Sequence, residues 1–301
     1  MLTAAPVTPA RAQGSIGISL ADDGGERDDP RSTKYVVEQA DPGERIERTI
    51  EIANDSSKTV TVDSYVGGAV VGGTGFDLDD GDDAEIVTWS RVAPATVELA
   101  AGARAEATVT ISVPADTRPG ERYGVVWAQV AGGDGRVVNR VGIRMFVLIG
   151  DGDSDLLVTA MTPYRDDQGR GAVDVEIQNI GERALDVSGT LRLDDDVHAE
   201  EPETAIGAAP TIAPGARGVA TARFERGPPN GPWVATVELD ANGDDYEATA
   251  RFTFPPLENE RGDAALATMV DEDGVPFVLV LLATTLIVAV VATSWRLRAR
   301  S

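Results

Sequence analysis

The stretch RIERTIEIAN, residues 45–54, decides the fold class of this 301-residue chain. Its side chains alternate between two sets, with Ile46, Arg48, Ile50 and Ile52 on one side and Glu47, Thr49 and Glu51 on the other. A period of two is typical of a β-strand with one buried face. The polar run Asn54-Asp55-Ser56-Ser57 follows, and alternation resumes at Val60, which predicts a hairpin.

Similar short segments continue from Gly14 to Pro255, separated by Gly, Pro, Asn and Asp. Residues 106–113 alternate until Pro114, and two further strands, residues 123–131 and 136–149, flank the glycine-rich turn at residues 132–135. Asn242-Gly243 is a dipeptide suited to a tight hairpin turn. No long helical period occurs before residue 275, so the sequence predicts an all-β architecture.

Two short motifs of the first half recur in the second half in the same order. Residues 175–179, VEIQN, echo residues 50–54, IEIAN; residues 212–217, IAPGAR, echo residues 99–104, LAAGAR. The echoes predict two related modules. The alternative is chance similarity between short strand-and-turn sequences.

We therefore expect two tandem immunoglobulin-like β-sandwiches followed by one transmembrane α-helix. The predicted division has six parts: residues 1–14, a signal-peptide remnant; 15–150, the first sandwich; 151–255, the second sandwich; 256–274, an acidic stalk; 275–295, the transmembrane helix; and 296–301, a basic cytoplasmic tail.

The two ends of the chain suggest its location. Residues 275–295 carry no charge, and about 20 apolar residues span a bilayer as a helix. Three acidic residues precede this span and Arg296, Arg298 and Arg300 follow it, which predicts a single-pass protein of the cell membrane with its bulk outside. A buried helix is the alternative, but it would normally show a polar face.

Near the N-terminus, Ala10-Arg11-Ala12 resembles a signal-peptide cleavage site. We therefore expect that residues 1–14 are what is left of an export signal. A tail without fixed structure, combined with another export route, is the alternative.

Composition excludes several function classes. The formal net charge of −24 repels nucleic acid, so no nucleic-acid partner is expected. The absence of cysteine excludes disulfides and thiolate chemistry.

Candidate site residues are few. The one histidine, His198, lies in the acidic run of residues 194–201, where a solvated role is the usual one. Residues 77–83 are rich in Asp, but Gly81 stands at the fifth position, where an EF-hand loop needs a ligand. Asp151, Asp153 and Asp155 alternate suitably for a calcium ion bracing the domain joint, yet Leu156 follows instead of glycine.

Five aromatic residues of the first half could stack on sugar rings: Tyr35, Tyr65, Trp89, Tyr123 and Trp127. Strand spacing places Tyr123 and Trp127 on one face, which is more often core than ligand platform. We predict no catalytic, cofactor-binding or metal-binding residue, no cofactor and no enzymatic activity.

One series of segments suggests a family: residues 41–44, DPGE; 50–54, IEIAN; 99–102, LAAG; 113–116, VPAD; and 119–124, PGERYG. In this order they resemble the N-terminal domain of the WxL-interacting proteins of Gram-positive bacteria, over roughly residues 15–150. The resemblance implies peptidoglycan binding by the first domain and docking of a secreted WxL protein by the second.

The leading prediction from the sequence is thus a membrane-anchored surface scaffold that contacts peptidoglycan or another cell-wall glycan and a secreted or surface protein. Two alternatives stay open. One is a chaperone-like protein that holds a secreted partner at an exposed strand edge. The other is an accessory subunit of an envelope hydrolase.

Overall fold

The structure, a computed structural model, describes residues 16–270 apart from residues 23, 27–28, 74, 80–83, 133–135, 195–202, 208 and 226. The chain divides into two compact units: the first ends at Asp151 and the second begins at Gly152, with the short segment Val71–Phe76 grouped with the second.

Strands dominate the described chain up to Asp151. They are β1 Ile16–Leu20, β2 Val36–Ala40, β3 Arg45–Asn54, β4 Val60–Gly72, β5 Gly75–Asp79, β6 Ser90–Ala93, β7 Thr96–Leu99, β8 Arg104–Ser112, β9 Gly120–Ala131 and β10 Val137–Ile149. A 3-10 helix, Pro30–Thr33, and a short helix, α1 Glu85–Trp89, interrupt them.

Two sheets form the first unit. One has the order β1-β3-β8-β6; the other has the order β2-β10-β9-β4-β5, with β7 paired to β4. This is the strand order of an immunoglobulin-like sandwich. The core between the sheets consists mainly of small aliphatic side chains, including Val36, Ile50, Ile52, Val62, Val109, Ile111, Val126 and Val147.

The predicted hairpin between β3 and β4 is wrong, because the two strands lie in different sheets. The cause is Asn54, whose side-chain Nδ2 donates to the carbonyl oxygens of Lys58, Leu99 and Ala100 at 2.8, 3.0 and 2.9 Å. These bonds turn the chain across the sandwich instead of back along β3.

The second unit has β11 Leu156–Arg165, β12 Gly171–Asn179, β13 Val187–Asp194, β14 Thr204–Ala205, β15 Arg217–Arg223, β16 Trp233–Ala241, β17 Asp244–Phe252, β18 Ala265–Leu266 and β19 Thr268–Val270. Its sheets have the orders β15-β12-β11-β18 and β14-β13-β16-β17-β19. The predicted Asn242-Gly243 hairpin between β16 and β17 is confirmed, with φ values of 58° and 101°. The described chain is thus all-β apart from short helical turns, as predicted.

The two sequence echoes occupy equivalent corners of the two units. Asn179 Nδ2 donates to the carbonyl oxygens of Arg183 and Ile212 at 2.7 and 2.8 Å, as Asn54 does in the first unit. Gly102 and Gly215 both have φ of +73°, and their amides donate to the Asn54 and Asn179 carbonyls, respectively. The shared geometry supports two related modules.

Part of the expected stalk belongs to the second sandwich. Residues 265–266 form β18, which pairs with β11, and residues 268–270 form β19, which pairs antiparallel with β17. Both short strands extend the edge of a sheet.

The predicted transmembrane helix is not among the elements that the structure describes. No helix of the described residues is long and apolar enough to cross a membrane; α1, the one α-helix among them, has five residues, against about 20 for a span. Residues 275–295, the tail 296–301 and the signal remnant 1–14 lie outside the described residues.

Candidate functional site

The acidic residues singled out in the sequence are either outside the described residues or do not form a metal-binding group. His198 and residues 80–83 lie outside the described residues, and Asp77 and Asp79 are exposed on β5. Within the described ranges, no group of three or more His, Asp or Glu side chains could hold a metal ion.

The segment of residues 151–155 is held by backbone hydrogen bonds to residues 180–182. The carbonyl of Asp155 accepts the amides of Ile180 and Gly181 at 3.0 and 3.2 Å, and that of Asp153 accepts the amide of Glu182 at 3.0 Å. Backbone bonds of this kind explain the fixed course of the segment without a bridging calcium ion.

Tyr123 and Trp127 share a face of β9, as predicted, but this face points away from the sandwich core. Val126 and Ala128, on either side of Trp127, supply the core side instead. The Tyr123 and Trp127 face therefore lies outside the core between the two sheets. Trp89, by contrast, is buried in that interior.

The outer face around Tyr123 is closed by a second layer of side chains. Tyr35 and Tyr123 pack against Phe146 with ring centroids at 5.9 and 6.0 Å, and the Arg31 guanidinium lies 4.7 Å from the Phe146 centroid. Burial, reinforced by the nearby Glu121, raises the pKa of Tyr123. This half of the face is a small secondary core.

The other half of the outer face, around Trp127, is half-exposed. The indole lies across two glycines of neighbouring strands: a Cβ built on Gly67 or on Gly142 would come within 2.7 Å of the ring. The guanidinium of Arg140 lies 4.2 Å from the ring centroid. Glycine at both positions lets the indole lie flat beside β10.

The long strand β10 extends beyond β2, its neighbour on one side. It pairs with β9 along its length, from Val137 to Ile149, whereas β2 pairs with Met145–Ile149 alone. In the part of the chain that the structure describes, no strand is hydrogen-bonded to residues 140–143 on the side away from β9, and β1 of the other sheet lies close to β10. Their outward backbone groups can therefore accept an added strand.

Other sheet edges offer less. The terminal strands β1, β2, β5 and β6 have four or five residues. The seven-residue edge strand β15 is partly covered, because Gly207 donates its amide to Thr221 at 2.9 Å and Ile206 forms a bridge with Ala222. Strands β3 and β8 also extend beyond their short edge neighbours β1 and β6, but both are shorter than the 13-residue β10.

The side chains of this edge differ between its two faces. Val141 is half-buried and Ile143 is buried on the core side. Arg140 is exposed on the outer face, and Arg144 lies four residues further, with its guanidinium 5.6 Å from the Tyr35 centroid. A strand placed here would meet an apolar row on one face and arginines on the other.

A buried ion pair links β2 of one sheet to β3 of the other. Arg48, 2% exposed, donates from Nη1 to Glu38 of β2 at 2.6 Å and from Nε to Asp22 at 2.7 Å. Burial raises the pKa of Glu38 despite the Arg48 contact. Burial also opposes ionisation of Asp22, but hydrogen bonds from Thr49 and Arg48 lower its pKa overall.

Comparisons with known proteins identify no family. No family model matches the chain, and no curated protein matches it. Among solved structures it is similar to the YadV chaperone, at 12% identity and TM-score 0.43, covering 79% of this chain and 99% of that chain. It is also similar to the class 5 fimbriae chaperone CfaA, at 14% identity and TM-score 0.36, covering 83% of this chain and 98% of that chain. A third similar structure is the E. coli chaperone DraB, at 12% identity and TM-score 0.37, covering 78% of this chain and 98% of that chain. Identities this low concern the fold alone.

The identification with the WxL-interacting proteins is wrong: no family model matches the chain. Of the segments that carried the resemblance, DPGE, LAAG and VPAD lie mainly in turns of the sandwich, whereas IEIAN ends β3 and PGERYG leads into β9. Glu44 donates its amide to Asp41 within DPGE, and the LAAG turn has a counterpart in the second unit. Peptidoglycan binding rested on this resemblance and falls with it.

Sequence reasoning named Trp127 but missed Arg140 and the edge beside it. The alternating pattern of residues 136–149 is much longer than that of residues 36–40, and this mismatch was the available signal. It becomes informative only when the two segments are known to be neighbours.

Proposed function

We propose that this protein binds an extended segment of another polypeptide as an added β-strand along residues 140–143 of β10. The observation that carries the proposal is the overhang of β10 beyond β2. Main-chain hydrogen bonds supply affinity in such a complex, and alternate side chains supply specificity. The function is thus the strand-edge alternative raised by the sequence.

The chemistry of the edge selects the partner class. Only a polypeptide offers the repeating amide and carbonyl groups that pair with a strand, so a secreted or surface protein is retained as partner and a glycan is not. Four residues present about four backbone groups on one side. At about 0.5–1.5 kcal/mol net for each bond, the four bonds contribute about 2–6 kcal/mol in total, which offsets at most the lower end of an association cost of about 4–15 kcal/mol.

Side-chain burial must therefore contribute. A bound strand would cover Val141, which the chain leaves half-exposed, next to the buried Ile143. Fully burying an apolar side chain contributes about 1.5–3 kcal/mol. We accordingly expect micromolar affinity or weaker for an isolated segment.

Selection from a random 12-residue peptide library tests the proposal. Successive amides of a strand point to opposite sides, so one of the variants Arg140→Pro and Val141→Pro removes an edge amide and spares the β9 ladder. We expect the wild-type chain to enrich peptides from the library. Of the two proline variants, the one that unfolds like the wild type should not enrich these peptides. Enrichment of the same peptides by both proline variants would overturn the proposal.

A further inference from the structure

The second unit shows what an added strand looks like in this architecture. There β19, residues 268–270, lies on the edge of β17, which follows its hairpin partner β16 as β10 follows β9. The pairing is antiparallel, with Met269 opposite Ala248. Met269 packs against the core, and its sulfur lies 3.3 Å from the amide nitrogen of Val158.

The strand β19, which belongs to the same chain, therefore directs an apolar side chain toward the core. A strand on β10 would direct alternate side chains toward Val141 and Ile143 in the same way, because neighbouring residues across a ladder share a face. Apolar side chains fit this row, since Val141 is half-buried and Ile143 is buried.

The other set of side chains would lie beside Arg140. This guanidinium is exposed, and arginine stays charged at every physiological pH. Adjacent strands lie about 4.8 Å apart. Asp63, the acidic residue in the same cross-strand row, lies on β4, beyond β9, and is therefore about three strand spacings from an added strand. Arg140 consequently dominates the local potential.

The overall charge of the chain does not reverse this preference. The net charge of −24 repels acidic molecules at long range. At physiological ionic strength, exposed charges beyond about 8 Å are largely screened. The near contact with Arg140 decides the ranking among bound segments.

Resting on the proposed function, we infer that the bound segment alternates apolar and acidic residues, with its apolar side chains facing Val141 and Ile143 and its carboxylates facing Arg140. The segment runs antiparallel to β10, as β19 runs to β17.

Three fluorescein-labelled peptides test this inference with the full chain. Each has nine residues, with valine alternating with glutamate, threonine or lysine. We expect fluorescence anisotropy to rank them glutamate, threonine, lysine, with the first and last differing at least about fivefold, as cross-strand charge pairs contribute modestly.

Two variants separate charge from fold. Arg140→Glu should reverse the ranking, whereas Arg91→Glu, an exposed change on β6 of the other sheet, should leave it intact. Equal binding of all three peptides, or tightest binding of the lysine peptide, overturns the acidic preference while the strand-edge function stands. Binding of none of them, together with an empty library selection, overturns both.

Discussion

Two buried asparagines, Asn54 and Asn179, occupy equivalent corners of the two sandwiches and illustrate what single residues do in this fold. Each is fully buried, and each side-chain amide donates to backbone carbonyls at its corner. Removing the donor takes these hydrogen bonds away from buried carbonyls, which is more costly than the loss of one exposed hydrogen bond.

We expect Asn54→Ala and Asn179→Ala each to lower the free energy of unfolding by about 2–4 kcal/mol. Urea denaturation followed by tryptophan fluorescence measures the change. Gln168→Ala, on an exposed turn, serves as control and should stay within about 0.5 kcal/mol of wild type. Asparagine variants as stable as this control would show that the corners are not held by these amides.

Tyr246 gives a prediction for alkaline pH. Burial, with Asp155 and Asp244 nearby, raises its pKa to about 12, and its hydroxyl donates to the Ser154 carbonyl at 3.1 Å. Because the folded-state pKa exceeds the ordinary value of 10.0, the neutral hydroxyl contributes stability below pH 10 that is lost as pH rises toward 12.

A difference titration at 295 nm between wild type and Tyr246→Phe isolates this group. The difference should be a single tyrosinate step near pH 12, before alkaline unfolding. A step near pH 10 in the folded chain would contradict the burial of the hydroxyl.

At the scale of elements, the fit of Trp127 across β4 and β10 depends on Gly142. A Cβ there would lie 2.5 Å from Val125 Cγ1 and 2.7 Å from Trp127 Cε3. We expect Gly142→Ala to destabilise the chain by about 1–3 kcal/mol, as in an overpacked core, and to alter tryptophan fluorescence. Gly72→Ala is the matched control, since a Cβ at Gly72 meets nothing within 4 Å. Equal stability of the two variants would show that the indole does not rest on Gly142.

The strand β19 gives a second prediction at this scale. Met269 packs on the core of the second unit, whereas Leu266 on β18 is 86% exposed. Met269→Ala should cost about 1–2 kcal/mol, less than a fully buried methionine, while Leu266→Ala should cost almost nothing. Thermal unfolding of both variants tests whether β19 contributes to the stability of the second unit. An unchanged stability of Met269→Ala would show that it does not.

Local patterns predicted the strands well, because a period of two is visible within five residues. They predicted the partners of the strands less well. The corner at Asn54 depends on carbonyls of Leu99 and Ala100, more than 40 positions away. Likewise, alternation places Tyr123 and Trp127 on one face without telling which face meets the other sheet.

The candidate site was hidden for the same reason. The free edge of β10 is defined by where β2 stops pairing, and these strands are separated by about a hundred residues of sequence. Resemblance over short turn motifs pointed to a wrong family, since turns such as LAAG follow from the sandwich geometry that any related fold needs.

At the scale of the whole molecule, the described chain is a pair of sandwiches. We propose that the first sandwich offers β10 to a partner strand. The second unit fills the edge of β17 with its own β19. The first unit leaves residues 140–143 without a described neighbour on one side. This difference between two related modules is the feature on which the proposed function depends.

Amide hydrogen exchange of the full chain, with and without a saturating library-selected peptide, tests this claim most directly. We expect slower exchange at residues 140–143 of β10 and no change along β6, Ser90–Ala93, an edge of the other sheet. Protection confined to other strands, or no protection at saturation, would contradict it.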